Sequence, residues 1–196
     1  NENFNPLNIL SCDASTVGNY DLGLVNQEKS LLQDLNNHQF EILFLVGQDN
    51  LNFDKKNEFI IYQGSHGDRG AEKADIILPG SAYTEQDGHF TNLEGKIQKA
   101  LKASYPPGDA KEDWQIINEL SEYISNKKLF NDKDELESSM FNYLNLQKEK
   151  QKNYIKKNND HDFGEFLNEN LDIVLKAYYF SNVIARSSKT MIECNN

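Results

Sequence analysis

Residues 60–98, IIYQGSHGDRGAEKADIILPGSAYTEQDGHFTNLEGKIQ, decide the fold. They include all but the first residue of the apolar run FIIYQG at 59–64 and the whole of ADIILPG at 74–80, and a similar run, FEILFLVG at 40–47, lies upstream. Runs of this length are typical of strands that are buried on both faces of a parallel sheet. The segments between them are long enough for crossover connections. The pattern therefore predicts a small parallel α/β unit.

The next segments predict a bent pair of strands and then helices. HFTNLEGKIQKAL at 89–101 alternates apolar and polar residues and is interpreted as a strand or hairpin with a bend at Gly95. The breaker PPGDAKEDW at 106–114 predicts a helix over about 110–126, with Asp109 as its N-cap and Glu112 at its third position. Helical spacing predicts that its inner face consists of Trp114, Ile117, Leu120 and Ile124.

The second half of the chain is predicted to be helical, with a polar interruption. A helix over 134–146 is expected to bury Leu136, Met140, Phe141 and Leu144. The lysine-rich stretch QKEKQKNYIKKNNDHD at 147–162 favours a solvated helix or a linker. An amphipathic tail follows, and upstream of the sheet Leu31, Leu32 and Leu35 share one helical face.

We therefore divide the chain into four parts. Residues 1–108 form the α/β part, 109–146 helices packed on it, 147–163 the lysine-rich linker or solvated helix, and 164–196 the helical tail. A formal net charge of −11 disfavours binding to nucleic acid phosphates. No apolar run is long enough for a transmembrane helix.

Three groups of residues are candidates for chemistry, and for each the structural interpretation is favoured. Gly64, Gly67 and Gly70 follow a strand, as in a phosphate-binding loop, but their spacing is G-x-x-G-x-x-G and a strand is expected to follow at once. We interpret them as a tight loop with positive φ angles.

Two cysteines, Cys12 and Cys194, cannot form a four-thiolate iron–sulfur or zinc site, and two free thiols are favoured over a disulfide.

A metal set and a catalytic triad are both formally available. The metal set comprises His66, Asp68, Glu85, Asp87 and His89, whose two histidines sit on different loops without the usual ligand spacing. The triad would be Ser65, His66 and Asp68, but adjacent residues on one loop seldom point at a common atom. Asp87 and Gly88 are interpreted as a turn before a strand. We predict no catalytic, cofactor-binding or metal-binding residue.

Aromatic residues are interpreted as packing anchors. Trp114 and the run Tyr178, Tyr179 and Phe180 would mark a partner surface only if they were exposed. Taken alone, these residues favour a structural or interaction module.

Several segments, in order, resemble the large iron–sulfur subunit of respiratory complex I. They are ILSCDASTVGNYDLGL (9–24), YQGSHGDRGAEKADIILPG (62–80), AYTEQDGHFTNLEGKIQ (82–98), PPGDAKEDWQIINELSE (106–122) and FSNVIARSSKTMIEC (180–194). The resemblance fails mainly at 128–165. It implies the molybdopterin-oxidoreductase-like α/β fold with a helical C-terminal extension, and it covers only the last part of that subunit.

The resemblance implies a non-catalytic structural role in electron transfer from NADH to ubiquinone. It implies no cofactor in this chain, iron–sulfur clusters in a partner chain, and contacts with the N-terminal part of the same subunit and with other peripheral-arm subunits. It also implies a location on the matrix side of the mitochondrial inner membrane, or on the cytoplasmic face in a prokaryote. Because the chain begins in mid-domain without Met, we expect a split subunit. The alternatives are a fragment of a catalytic molybdopterin oxidoreductase, similar to formate dehydrogenase, or a stand-alone interaction module.

Overall fold

The computed structural model describes residues 14–24, 31–48, 51–67, 69–155, 180 and 182–194. The strands are β1 (Ile42–Val46), β2 (Phe59–Gly64), β3 (Ile76–Pro79), β4 (Gly88–Thr91) and β5 (Ile97–Ala100). The helices are α1 (Thr16–Asp21), α2 (Leu31–Asn36), α3 (Arg69–Lys73), α4 (Asp113–Ser125), α5 (Lys133–Ile155), α6 (Val183–Ser187) and α7 (Lys189–Cys194). Among these described helices, none combines the length and apolar character that crossing a membrane requires.

The first three strands form a parallel sheet in the order β1-β2-β3. In its register Leu45 pairs with Tyr62, which pairs with Ile77 on the other side. This confirms the predicted α/β class with a small parallel sheet. β2 has the bounds expected from its apolar run, whereas β1 and β3 are each shorter than theirs.

One face of the parallel sheet builds the hydrophobic core. Ile60 and Tyr62 in β2 are 0% and 2% exposed, and Leu45 in β1 lies beside them. Leu35 of α2 and Phe53 complete this buried cluster. Full burial of side chains of this size contributes roughly 1.5–3 kcal/mol each, so the cluster holds the sheet to its first helices. Of the predicted α2 face, Leu35 is buried but Leu31 is exposed.

The other face of the sheet is open around four of its side chains, although Gln63 on the same face is fully buried; the prediction of strands buried on both sides was therefore wrong for much of this face. Side chains alternate between the faces along each strand, and paired residues point to the same side. Ile42 and Val46 of β1, Phe59 of β2 and Ile76 of β3 are 66%, 47%, 43% and 44% exposed. We call these four side chains the open face. The apolar runs therefore predicted the strands correctly, but not that side chains on one face of the sheet would be exposed.

The hairpin formed by β4 and β5 confirms the prediction for 89–101. The two strands pair antiparallel, with His89 opposite Lys99. The bend falls at Gly95, whose φ of +81° favours glycine.

Helix α4 begins later than predicted. Its N-cap is Glu112 rather than Asp109, and the backbone N–H of Glu112 donates to Oε1 of Gln115 at 3.2 Å. The inner face is also rotated by about one residue from the predicted one. Ile116 and Asn118 are buried, whereas Ile117 is 39% exposed and Ile124 is 72% exposed. The predicted helical face was therefore wrong at these two isoleucines.

Helix α5 has the inner face that was predicted. Leu144 is buried and Leu136, Met140 and Phe141 are half-buried. The helix continues to Ile155, so the first part of the lysine-rich segment is helical. Asn118 fixes the α4–α5 connection, because its Oδ1 accepts from the N–H groups of Leu129 and Phe130 at 2.7 and 3.0 Å and its Nδ2 donates to the Phe130 carbonyl at 2.9 Å.

In the tail, the helices α6 and α7 follow Phe180 directly. Asn182 caps α6 by accepting from the N–H of Ala185 at 2.9 Å. Cys194 carries an exposed free thiol. Cys12, the first part of the predicted amphipathic tail at 164–177, and the pair Tyr178 and Tyr179 lie outside the described residues.

Candidate functional site

The carboxyl edge of a parallel sheet is where open α/β proteins bind their ligands. In this chain the N-terminus of α4 lies over that edge. Oδ1 of Asp113 accepts from Nε2 of Gln63 at 2.9 Å, and its Oδ2 accepts from Nε2 of Gln86 at 2.9 Å. A Cβ at Gly80, just after β3, would lie 3.0 Å from Oδ1 of Asp113. The helix and the strand ends therefore fit closely, and Asp113 fills the edge.

The glycine loop at 64–70 serves packing. Among its described glycines none has a positive φ, so the predicted backbone conformation was wrong. Gly64 and Gly70 instead leave room for the ring of Tyr62, and a Cβ on Gly70 would also lie 2.5 Å from the carbonyl oxygen of Gln48. The loop opens the five-residue helix α3, which contradicts the expectation of an immediate strand. Gly64 and Gly70 are therefore needed because neighbouring side-chain and backbone atoms leave no room for a Cβ.

Ser65 and His66 form a local pair on this loop. Their Oγ and Nδ1 atoms lie 2.9 Å apart, and the carbonyl of His66 accepts from the hydroxyl of Tyr62 at 2.9 Å. Asp68, a member of both the triad and the metal set, lies outside the described residues.

The other members of the predicted metal set have separate partners. Glu85 accepts from the N–H of Ala82 at 3.0 Å, and Asp87 accepts from the N–H of Lys102 at 2.7 Å. His89 contacts Glu137 through Nε2 at 2.9 Å, with its ring edge-on to another aromatic ring on α5. Within the described part of the chain, no group of three His, Cys, Asp or Glu residues is placed to hold a metal ion.

A crevice of about 330 Å³ lies between the β4–β5 hairpin and the two long helices. Its charged residues form ion pairs across it. Lys99 and His89 of the hairpin meet Glu137 of α5 at 3.0 and 2.9 Å. The hydrogen bond from Lys99 holds the pKa of Glu137 below its ordinary value. The crevice is therefore a seam that joins the hairpin to α5.

Glu112 is the centre of this seam. Its carboxylate accepts from Nζ of Lys133 at 2.7 Å, from Nε1 of Trp114 at 3.1 Å and from Nζ of Lys102 at 3.3 Å. Burial alone would raise the pKa of Glu112, but the hydrogen bonds from Lys133 and Trp114 outweigh it and leave the pKa lowered. Glu112 thus ties α4, α5 and the segment after β5 together as an ionised group.

Sequence reasoning missed Gln63, Glu112 and Glu137 as the residues that organise this region. A signal existed for Gln63, because it is a polar residue inside an otherwise apolar strand run. No spacing rule indicates the other two, since their charged partners lie 10–48 positions away in sequence.

The profile of the molybdopterin oxidoreductase family matches residues 1–123. The chain belongs to this family. A second profile, which describes the C-terminal region of the NADH-ubiquinone oxidoreductase G subunit, matches residues 135–194. The first match ends near the end of α4, and the second begins near the start of α5.

Curated relatives of this family member are complex I subunits. It is 38% identical over 99% of its length to the NADH-ubiquinone oxidoreductase 75 kDa subunit of Reclinomonas americana and covers 29% of that protein. It is 37% identical over 98% of its length to the 78 kDa subunit of Candida albicans, of which it covers 28%. It is 39% identical over 95% of its length to the NADH-quinone oxidoreductase G subunit of Rickettsia bellii, of which it covers 27%. The resemblance to the complex I large subunit is confirmed, and the chain spans less than a third of these relatives.

Proposed function

We propose that this chain forms the C-terminal, non-catalytic part of the large iron–sulfur subunit of complex I. It completes the molybdopterin-like domain of the peripheral arm, while electrons pass from NADH to ubiquinone through clusters held in the N-terminal part of that subunit. The observations that support this most are the two family matches, at 1–123 and 135–194 of this chain, and the relatives that align over 95–99% of it.

The polar groups of the carboxyl edge support a structural role. A pterin with its phosphate needs free donors and positive charge at this edge. Here the edge presents the carboxylate of Asp113, and the side-chain amides of Gln63 and Gln86 already donate to it. The lysines of the crevice are likewise bound to Glu112 and Glu137. This donor set fits an internal seam better than it fits a molybdopterin.

The proposed partners and location follow from the resemblance to the large subunit of complex I. The partners are the N-terminal iron–sulfur part of the subunit and neighbouring peripheral-arm subunits, and the clusters lie in those chains. The location is the matrix side of the mitochondrial inner membrane, or the cytoplasmic face in a bacterium. The proposal also includes the split subunit, in which this chain is a separate polypeptide.

Native gel electrophoresis of solubilised membranes, followed by mass spectrometry, tests the proposal. We expect the chain in a very large complex with NADH dehydrogenase activity and an iron–sulfur partner. Its recovery with molybdenum and pterin would favour the catalytic alternative, and recovery only as a small free protein would favour the stand-alone module. In a denaturing second dimension, a band near 22.5 kDa supports the split subunit, and a band of the relatives' full size contradicts it.

A further inference from the structure

The open face is an unusual surface for a parallel sheet. Ile42, Val46, Phe59 and Ile76 are all apolar and 43–66% exposed, and they point to the same side of the three-stranded sheet, where Ile42 pairs directly with Phe59. Parallel sheets occur almost only with helices covering both faces. Among the described helices α2 and α3 contact the core cluster, and the start of α4 covers the other side only at Gln63, which donates to Asp113. The four exposed side chains therefore need a cover from outside the described residues.

The topology indicates which kind of element covers it. The helix α3 connects β2 to β3 and lies on the core face, where Ala71 and Ala74 pack against the core cluster. Parallel crossovers are right-handed, so strands added beyond β3 in the same direction would place their helices on that same face. A helix reaches the open face when its strands are added in the opposite direction, beyond β1.

The outer edge of β1 is free to accept such a strand. The carbonyl of Glu41 and the N–H of Gly47 bond to β2 at 2.8 Å each. Because alternate residues of a parallel strand bond to opposite sides, the backbone groups of Phe44 and Val46 point to the outer edge. In the described part of the chain no strand pairs there, whereas the outer side of β3 is bridged at Gly80 by Lys111.

We propose that the open face docks an amphipathic helix from a further βα unit, whose strand pairs in parallel with the outer edge of β1. The unit belongs to the part of the large subunit that this chain does not contain, since the chain spans 27–29% of relatives that match it over 95% or more of its length. This inference rests on the proposed function. It adds which surface and which strand edge of this chain make the contact, and which kind of element binds them.

Site-specific photo-crosslinking in the purified native complex tests the contact. A benzophenone side chain replaces Ile42, and as a control it replaces Leu101, which is 73% exposed and lies outside the sheet. We expect position 42 to crosslink to a segment of the preceding part of the large subunit, and position 101 not to reach that segment. Crosslinks from position 42 to a second copy of this chain, to lipid or to no protein would overturn the proposal.

A second test compares Ile42→Asp with Leu101→Asp in the same complex. A carboxylate buried against an apolar helix has no partner, so the Ile42→Asp variant should assemble roughly tenfold less, while the control stays within about twofold of wild type. Hydrogen exchange then checks the strand edge in the wild-type complex, where the Phe44 amide should be protected. If the chain enters the NADH dehydrogenase but Ile42→Asp assembles normally, the inference fails and the proposed function stands. If the chain is absent from that complex, the proposed function fails first.

Discussion

Removing the carboxylate of Glu112 should loosen both long helices. In Glu112→Ala the ammonium of Lys133 and the indole N–H of Trp114 lose their acceptor inside the seam. Hydrogen bonds to charged groups contribute about 1.5–3 kcal/mol each, and breaking a buried ion pair costs about 3–5 kcal/mol. Both lysine partners are about one-third exposed, so water replaces part of the loss. We expect a cost of about 2–4 kcal/mol.

Hydrogen exchange of α4 and α5 within the assembled complex measures this cost directly. A loss of about 2–4 kcal/mol in local opening free energy corresponds to exchange that is roughly 30- to 1000-fold faster. The matched control is Glu119→Ala on the same helix, which breaks the exposed pair with Lys111 at 2.6 Å and should cost less than about 0.5 kcal/mol. Equal exchange rates in the two variants would refute the central role of Glu112.

Three further predictions concern packing, the helix connection and acid stability. Gly70→Ala should destabilise the sheet by about 1–3 kcal/mol in thermal unfolding, because its Cβ meets backbone and ring atoms, whereas Gly67→Ala has open space and should be nearly neutral. Asn118→Ala should lower the unfolding free energy by about 2–3 kcal/mol in urea titration, since three hydrogen bonds and their buried groups are lost; a cost below about 0.5 kcal/mol would contradict this. The N–H of Lys56 and the hydrogen bond with His38 lower the pKa of Glu58 from 4.5 to about 2. The contribution of Glu58 is therefore complete above about pH 4.5 and is lost as the pH falls toward 2, so Glu58→Gln should flatten the acid-unfolding curve in that range, and an unchanged curve would count against the assignment.

Local sequence patterns predicted the strands and helices, but not which of their faces are buried. The run FIIYQG gave β2 its observed bounds, because apolar β-branched and aromatic residues both favour a strand and need burial. The same argument failed for the exposure of Ile42 and Ile76, since covering a face depends on distant chain segments. Helix α4 starts at Asp113 because Glu112 finds its partners across the seam, and a local capping rule cannot see those partners.

The candidate site was less predictable than the fold. Glycine spacing at 64–70 favoured a tight loop over a dinucleotide loop, but it did not indicate that Tyr62 is the reason for Gly64 and Gly70. The side chains that contact one another across the seam lie up to 48 positions apart in the sequence, and a single sequence holds no signal for such pairs. Short-range periodicity predicted the fold class, whereas the ion pairs depend on which distant residues the fold brings together.

The open face also bears on how the cell controls the supply of this chain. A copy that is made before its neighbours are present keeps four large apolar side chains in water, which is the feature that chaperones retain and proteases remove. Surplus copies would therefore be short-lived, and the steady amount of this chain would follow the production rate of whatever covers that face.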